Sequence, residues 1–315
     1  DGDVTVKSAG SGTLGSVTTG GSLKLSSSES PASYLQKDGS SVAVSKDLII
    51  EKDTTLKAAD TQYKVGGNWE NKGTFDPGKS TVEFNDNAQT TQIKGDNTFY
   101  NFKSTTASKV IQFEADKTQT ILNDWKTQGA YGQHVKLISS ETGHQWKVDP
   151  RGIENLTYTW VEDSNNVDYD KSHQKIIMTE STSRNGNYGW DPTGTWNASA
   201  DGSASVAGNW TGLGGAAPGS GDDIVLDGTS VFNCTWDVAQ VNSFSMNAGY
   251  TGTVTLSNAF TTGAMTVAAG TFSQGANSVT ASSLTVSGGT FTGGSGALDV
   301  NGAVDLSLGT LTAPS

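Results

Sequence analysis

The densest run of metal-ligating side chains in this 315-residue sequence is Glu162-Asp163-Ser164-Asn165-Asn166-Val167-Asp168-Tyr169-Asp170. Asp163, Asn165, Asp168 and Asp170 could offer carboxylate and amide oxygens to Ca²⁺, a hard cation that gathers about six to eight of them. The run lacks the central Gly and the distant Glu of an EF-hand loop, so a solvated loop is the plainer expectation. His134, His144 and His173 are the only histidines, and their spacings of 10 and 29 residues match no local metal pattern. Asp222-Asp223 is the other candidate for acid chemistry. Two carboxylates acting on one glycosidic bond must converge at roughly 5–9.5 Å, whereas strand neighbours point to opposite faces. Turn residues beside a cap are expected here. No Gly-x-Ser-x-Gly elbow, phosphate loop or Cys-x-x-Cys pair occurs. Cys234 is the single cysteine, so no intrachain disulfide forms and a lone buried thiol is expected. No catalytic residue is assigned, no cofactor is expected beside the calcium candidate, and the chain is read as a non-enzyme.

The elements that must position any such residue are strands. Gly accounts for 39 residues and only 17% are charged, the balance being Ser, Thr and Asn. Gly costs helix entropy and short polar side chains compete for the backbone, so helix is disfavoured throughout. The 8 Trp, 8 Tyr and 10 Phe argue equally against disorder. No apolar run approaches the roughly 18 residues of a spanning helix. A net charge of -12 makes nucleic acid a poor partner, since phosphate binding needs a basic face. Sugars and proteins stay open as partners. The tryptophans, at 69, 125, 146, 160, 190, 196, 210 and 236, could stack on sugar rings but are expected to plug coil interiors or cover sheet edges. Asn155, Asn197, Asn209 and Asn233 open Asn-x-Ser/Thr sequons, which in a bacterial protein carry no expectation of glycosylation.

Charge and repeats divide the chain. All 20 basic residues lie at or before Arg184, and from Asp191 onward there are eight Asp and no Glu. A boundary is expected near the turn-rich stretch Asn185–Pro192, giving a Lys-containing segment over 1–190 with an irregular closing unit and a Gly/Ser/Thr-rich segment over 191–315. In the second, Gly270-Thr271-Phe272, Gly289-Thr290-Phe291 and Gly309-Thr310-Leu311 recur at 19 and 20 residues. Met265-Thr266-Val267, Leu284-Thr285-Val286 and Val304-Asp305-Leu306 recur at the same separations, with Val279 and Leu298 as a third position. Three alternating strands per unit of about 20 residues predict an all-β parallel β-helix, with Leu284 and Val286 inward and Thr285 outward. A sandwich would not require equivalent positions to return over successive units. The first segment repeats the pattern more loosely through Leu48–Ile50, Tyr63–Val65, Gly73–Phe75, Thr81–Phe84, Phe99–Phe102 and Val110–Phe113.

These residues resemble the secreted bacterial cell-surface proteins built from right-handed parallel β-helices, the adhesin and autotransporter-passenger solenoids. Gly67-Asn68-Trp69, Asn71–Phe75, Ser80–Phe84 and Phe99–Phe102 carry the resemblance in the first segment. Its closing unit runs from Val135–Ser140 through Gln145–Pro150 and Asp163–Asn166 to Asn187–Trp190. In the second segment the matching residues are Gly194-Thr195-Trp196, Gly208-Asn209-Trp210, Pro218 and Asp222–Gly228. The resemblance implies an extracellular, cell-surface protein and leaves the role open, because such modules serve many.

A solenoid end without a cap presents backbone groups that recruit other strands. Asp3-Val4-Thr5-Val6 is strand-like from the outset, and the last unit carries Val304, Leu306 and Leu311. Joining one copy's end to the next copy's start places Val4 15 positions after Val304, while Leu298 falls 14 after Leu284. Head-to-tail self-association through Val4, Val6, Val304, Leu306 and Leu311 into a fibre is therefore expected. Because the sequence opens on Asp1, it is read as a processed form or a piece of a longer chain. A glycan-binding passenger is the alternative, and a polysaccharide lyase or hydrolase the third expectation.

Overall fold

The computed structural model describes residues 2–29, 31–169, 175–184 and 186–314. Parallel strands stack coil upon coil into a β-solenoid of about 14 turns. The one helical element among the described residues is the 3-10 turn Ala207–Asn209. The chain forms two compact units, Asp1–Met178 with Gly186–Trp190, and Thr179–Asn185 with Asp191–Ser315.

In the first unit one sheet orders Val4–Ser8, Leu23–Ser27, Leu48–Ile50, Trp69–Asn71, Thr91–Lys94, Val110–Phe113, Val135–Ser139 and Thr159–Val161 as successive neighbours. A second holds Ser11–Leu14, Ala32–Gln36, Thr54–Lys57 and Thr74–Asp76, and a third runs through Val17–Thr19, Ser41–Val44, Gln62–Val65 and Thr81–Phe84. Registers carry Val4 onto Leu23, Leu23 onto Leu48, Leu48 onto Trp69, Trp69 onto Ile93 and Ile93 onto Phe113, which are coil lengths of 19, 25, 21, 24 and 20 residues. The inward column stays apolar while the turns absorb the insertions. Leu23, Leu48, Trp69, Ile93 and Phe113 are all buried. A slip of one residue would turn that column to solvent, which fixes the register.

Turns are pinned by side chains reaching one coil along. The Asp47 carboxylate accepts the Asn68 N–H at 2.7 Å, and the Asn68 side chain accepts the Gln92 N–H at 2.8 Å. This explains Gly67-Asn68-Trp69: Asn68 supplies the acceptor and Trp69 then enters the core. A Cβ on Gly67 would lie 2.5 Å from the Asp47 carboxylate, so the close approach requires glycine there. Lys24, Glu51, Lys72, Glu70 and Lys94 form a ladder of ion pairs from 2.6 to 3.9 Å across the outer face. Exposed pairs of this kind contribute little to stability.

The second unit repeats more strictly. One sheet stacks Asp223–Leu226, Ser243–Met246, Phe260–Val267, Val279–Val286 and Leu298–Val300 in order, with Val304–Leu306 also paired to Val279–Val286. The other stacks Gly202–Ser203, Cys234–Trp236, Thr253–Leu256, Thr271–Ser273, Thr290–Thr292 and Thr310–Thr312. Met265 pairs with Leu284, Leu284 with Val304, and Val279 with Leu298, as the sequence spacing predicts. Leu284 and Val286 are buried while Thr285 faces outward. The recurring glycines have a steric cause: a Cβ on Gly289 would lie 2.7 Å from Val267 Cγ1, and one on Gly309 2.4 Å from Val286 Cγ1. The turn of each coil rests directly on the strand beneath it.

Candidate functional site

The residues expected to mediate assembly lie on the terminal coils. Val4–Ser8 bonds to Leu23–Ser27 on one side and is the first strand of its sheet. Val4 and Val6 are half-buried and pack against the first unit's core. In the second unit Val304 and Leu306 are each 50% exposed, although Leu284 and Val286, one coil earlier in the same columns, are 1% and 0% exposed. Leu308 is 87% exposed, and Leu311 packs partly against the core. Both terminal coils thus present strands bonded on one side, and the last one presents apolar side chains in columns that are otherwise interior.

The four calcium candidates point to separate partners. Asp163, with φ of 48°, is buried, and its Oδ2 accepts the Gly143 N–H at 3.0 Å. Asn165 sits in the strand Ser164–Asn166 with Oδ1 buried and without a hydrogen-bond partner. Asp168 lines a cavity of about 350 Å³ with Arg151, Glu154, Asn166 and Lys175. Asp170 and His173 lie outside the described residues. Among the described residues no three His, Cys, Asp or Glu side chains gather in a metal-binding group.

That cavity was not singled out by sequence spacing. Arg151 there pairs with Asp149 at 2.6 Å. Burial and the neighbouring Asp168 charge push the Glu154 carboxyl up, against a hydrogen bond from its own backbone that pulls it down. Two carboxylates beside two cationic side chains can hydrogen-bond sugar hydroxyls and hold an anionic group. The signal in the sequence is the charged turn Asp149–Glu154, whose coil neighbour is the acidic run.

Asp222 and Asp223 separate as strand alternation requires. Asp223 faces outward, accepting from Asn242 Nδ2 at 2.7 Å and Ser243 Oγ at 2.6 Å. Asp222 is fully buried, a correction to its reading as a turn residue. Its Oδ1 accepts the Ser183 N–H at 2.7 Å, its Oδ2 accepts the Gly219 N–H at 2.7 Å, and the Thr182 hydroxyl lies 2.9 and 3.2 Å from the two oxygens. Desolvation pushes this carboxyl up to about 7 against those donors and the Arg184 charge. With every lone-pair direction taken by protein, Asp222 ties Thr182–Arg184 to the loop before the strand Asp223–Leu226 and is out of reach of any substrate.

Tryptophans 69, 125, 146, 190, 196, 210 and 236 are buried. Trp160 alone is half-exposed on the outer face, with Lys136 Nζ 4.7 Å from its ring centre and its Nε1 donating to Glu162 Oε1 at 2.6 Å. Cys234 is buried, and desolvation raises its thiol far above the ordinary range, which leaves it a poor nucleophile. Lys109 is a buried cation whose Nζ donates to the Asp86 carbonyl and, at 3.0 Å, to the Gln89 carbonyl. Burial lowers it to about 8 despite Asp86 nearby, and it pins the 86–89 turn.

No protein-family model, curated protein or solved structure matches this chain in comparisons of its sequence and fold. No helix among the described residues is long and apolar enough to cross a membrane.

Proposed function

We propose that this chain is a non-enzymatic structural protein of the bacterial cell surface that self-assembles head to tail through the open edges of its terminal coils. The observation that carries this is the half-exposure of Val304 and Leu306 in columns that are closed one coil earlier. A strand edge with free N–H and C=O groups beside apolar side chains is a template for another strand. A contact between unlike ends does not close on itself and so propagates as a filament. The extracellular and bacterial parts are supported by the resemblance to surface solenoids. Purified chain should form filaments in electron micrographs, built from subunits of 32.7 kDa by intact mass. Val6→Lys at one end, or Val304→Lys with Leu306→Lys at the other, should leave monomers with unchanged circular dichroism. Wild-type chain that stays monomeric at high concentration would sink the proposal.

One observation favours a second reading, a glycan-binding surface: the half-exposed Trp160 ring beside Lys136 and Glu162. Aromatic faces stack on sugar rings, and the flanking polar groups would bond hydroxyls. On a glycan array, Trp160→Ala should lose saturable binding while the far-ultraviolet spectrum is kept. An array on which wild type binds nothing would remove this reading.

A further inference from the structure

The outer face of one second-unit sheet is a net of hydroxyl groups. Thr253, Thr271, Thr290 and Thr310 pair in one column, and Thr255, Ser273, Thr292 and Thr312 in the next, with Val254, Phe272, Phe291 and Leu311 inward between them. The second column continues to Thr235 and Ser203. The pairing runs through Thr253–Thr312 without a register shift. Thr255, Thr310 and Thr312 are exposed and the other five half-exposed, and none of the eight hydroxyls bonds to protein among the described residues. A second observation is independent of this stripe: between Asp237 and Asp299 the sequence has no Asp, Glu, Lys, Arg or His.

We propose that this face binds ice, by matching its hydroxyl net to the lattice of crystalline water. Successive coils repeat at about 4.8 Å. In tetrahedral water, two hydrogen-bond steps of about 2.8 Å put second-neighbour oxygens about 4.5 Å apart. The mismatch of about 0.3 Å per coil accumulates to about 1 Å across the four coils, within the reach of small side-chain adjustments. Threonine suits the task because its β-branch restricts χ1, so little rotamer entropy is lost when the hydroxyls are fixed against a lattice. The complementarity is electrostatic as well as metric. Each hydroxyl both donates and accepts, as each lattice water does, whereas a charged group would orient water around itself. Threonine pairs also stabilise neighbouring strands, but strand stability requires neither an uncharged surround nor two columns in register.

Thermal hysteresis and partition into a growing ice front, measured on the intact chain, test this. Wild type should show both activities. Thr271→Lys with Thr290→Lys should lose them, with circular dichroism and melting unchanged. Ser282→Lys, at an exposed position on the other sheet, should keep wild-type values. Wild type without hysteresis or partition overturns the proposal, as does a double variant that retains them. A chain that dimerises through this face, shown by dissociation of the double variant in sedimentation without any ice activity, also overturns it. Head-to-tail assembly is read from filaments in ice-free buffer, so either proposal can fail alone.

Discussion

Asp222→Ala should cost the second unit about 3–5 kcal/mol at pH 5. The substitution leaves two buried N–H groups and the Thr182 hydroxyl without their acceptor, and each orphaned donor costs roughly 1–3 kcal/mol. Asp222→Asn is not a neutral replacement. Each carboxylate oxygen accepts a backbone N–H, so the amide NH₂ must face one of those donors. The effect also depends on pH with a definite sign. This carboxyl titrates near 7 in the folded chain and near 3.8 when unfolded. The folded state therefore holds the extra proton between those values. Its contribution to stability is complete below about pH 4 and is lost as pH rises through about 7. Three pH units correspond to about 4 kcal/mol. Thr182 explains how both forms fit, since its hydroxyl can donate to the carboxylate or accept from the acid. Urea unfolding followed by hydrogen exchange in the strand Asp223–Leu226 should give a lower midpoint at pH 8 than at pH 5 for wild type. That difference should vanish in Asp222→Asn. A wild-type midpoint that rises with pH in this window would refute the assignment.

The contrast between Asp222 and the recurring triplets shows where sequence reasoning reaches. Gly289 and Gly309 follow from contacts one coil away, at a fixed offset, so their spacing reports their environment directly. The paired columns through Met265, Leu284 and Val304 are legible for the same reason. Asp222 instead meets Thr182, 40 residues earlier, at a distance no period announces. In the first unit the inward columns persist while coil lengths range from 19 to 25 residues, so the fold class is readable there but the register is not. Lys109 illustrates a further limit. Its sequence neighbours suggest an outward, solvated cation, and only the carbonyls of the preceding coil explain why it is buried. The calcium candidates fail to gather for a simpler reason: residues close in a strand alternate between faces, so Asp163 and Asp168 reach different partners.

Trp69→Ala should be the most damaging core substitution in the first unit, at about 3–5 kcal/mol for removal of a buried indole. The Trp69 ring lies 4.8 Å from Phe75, 5.5 Å from Phe99, and 6.5 Å from both Tyr63 and Phe84, so it closes an aromatic cluster spanning successive coils. It also donates from Nε1 to Asn97 Oδ1 at 2.9 Å, while Asn97 Nδ2 donates to Gln119 Oε1 at 3.0 Å. Truncation thus creates a cavity and strips an acceptor from a buried amide pair. Trp69→Phe keeps most of the volume but removes the indole N–H, and should cost about 1–3 kcal/mol, the penalty of one orphaned polar group. Because coils touch only their neighbours, the damage should stay local. Hydrogen exchange should quicken in Gln62–Val65, Thr81–Phe84 and Asn97–Ser104, while Phe260–Val267 in the second unit keeps wild-type protection. Uniform loss of protection through both units would mean that the solenoid unfolds as one cooperative body, and would refute a stability built coil by coil.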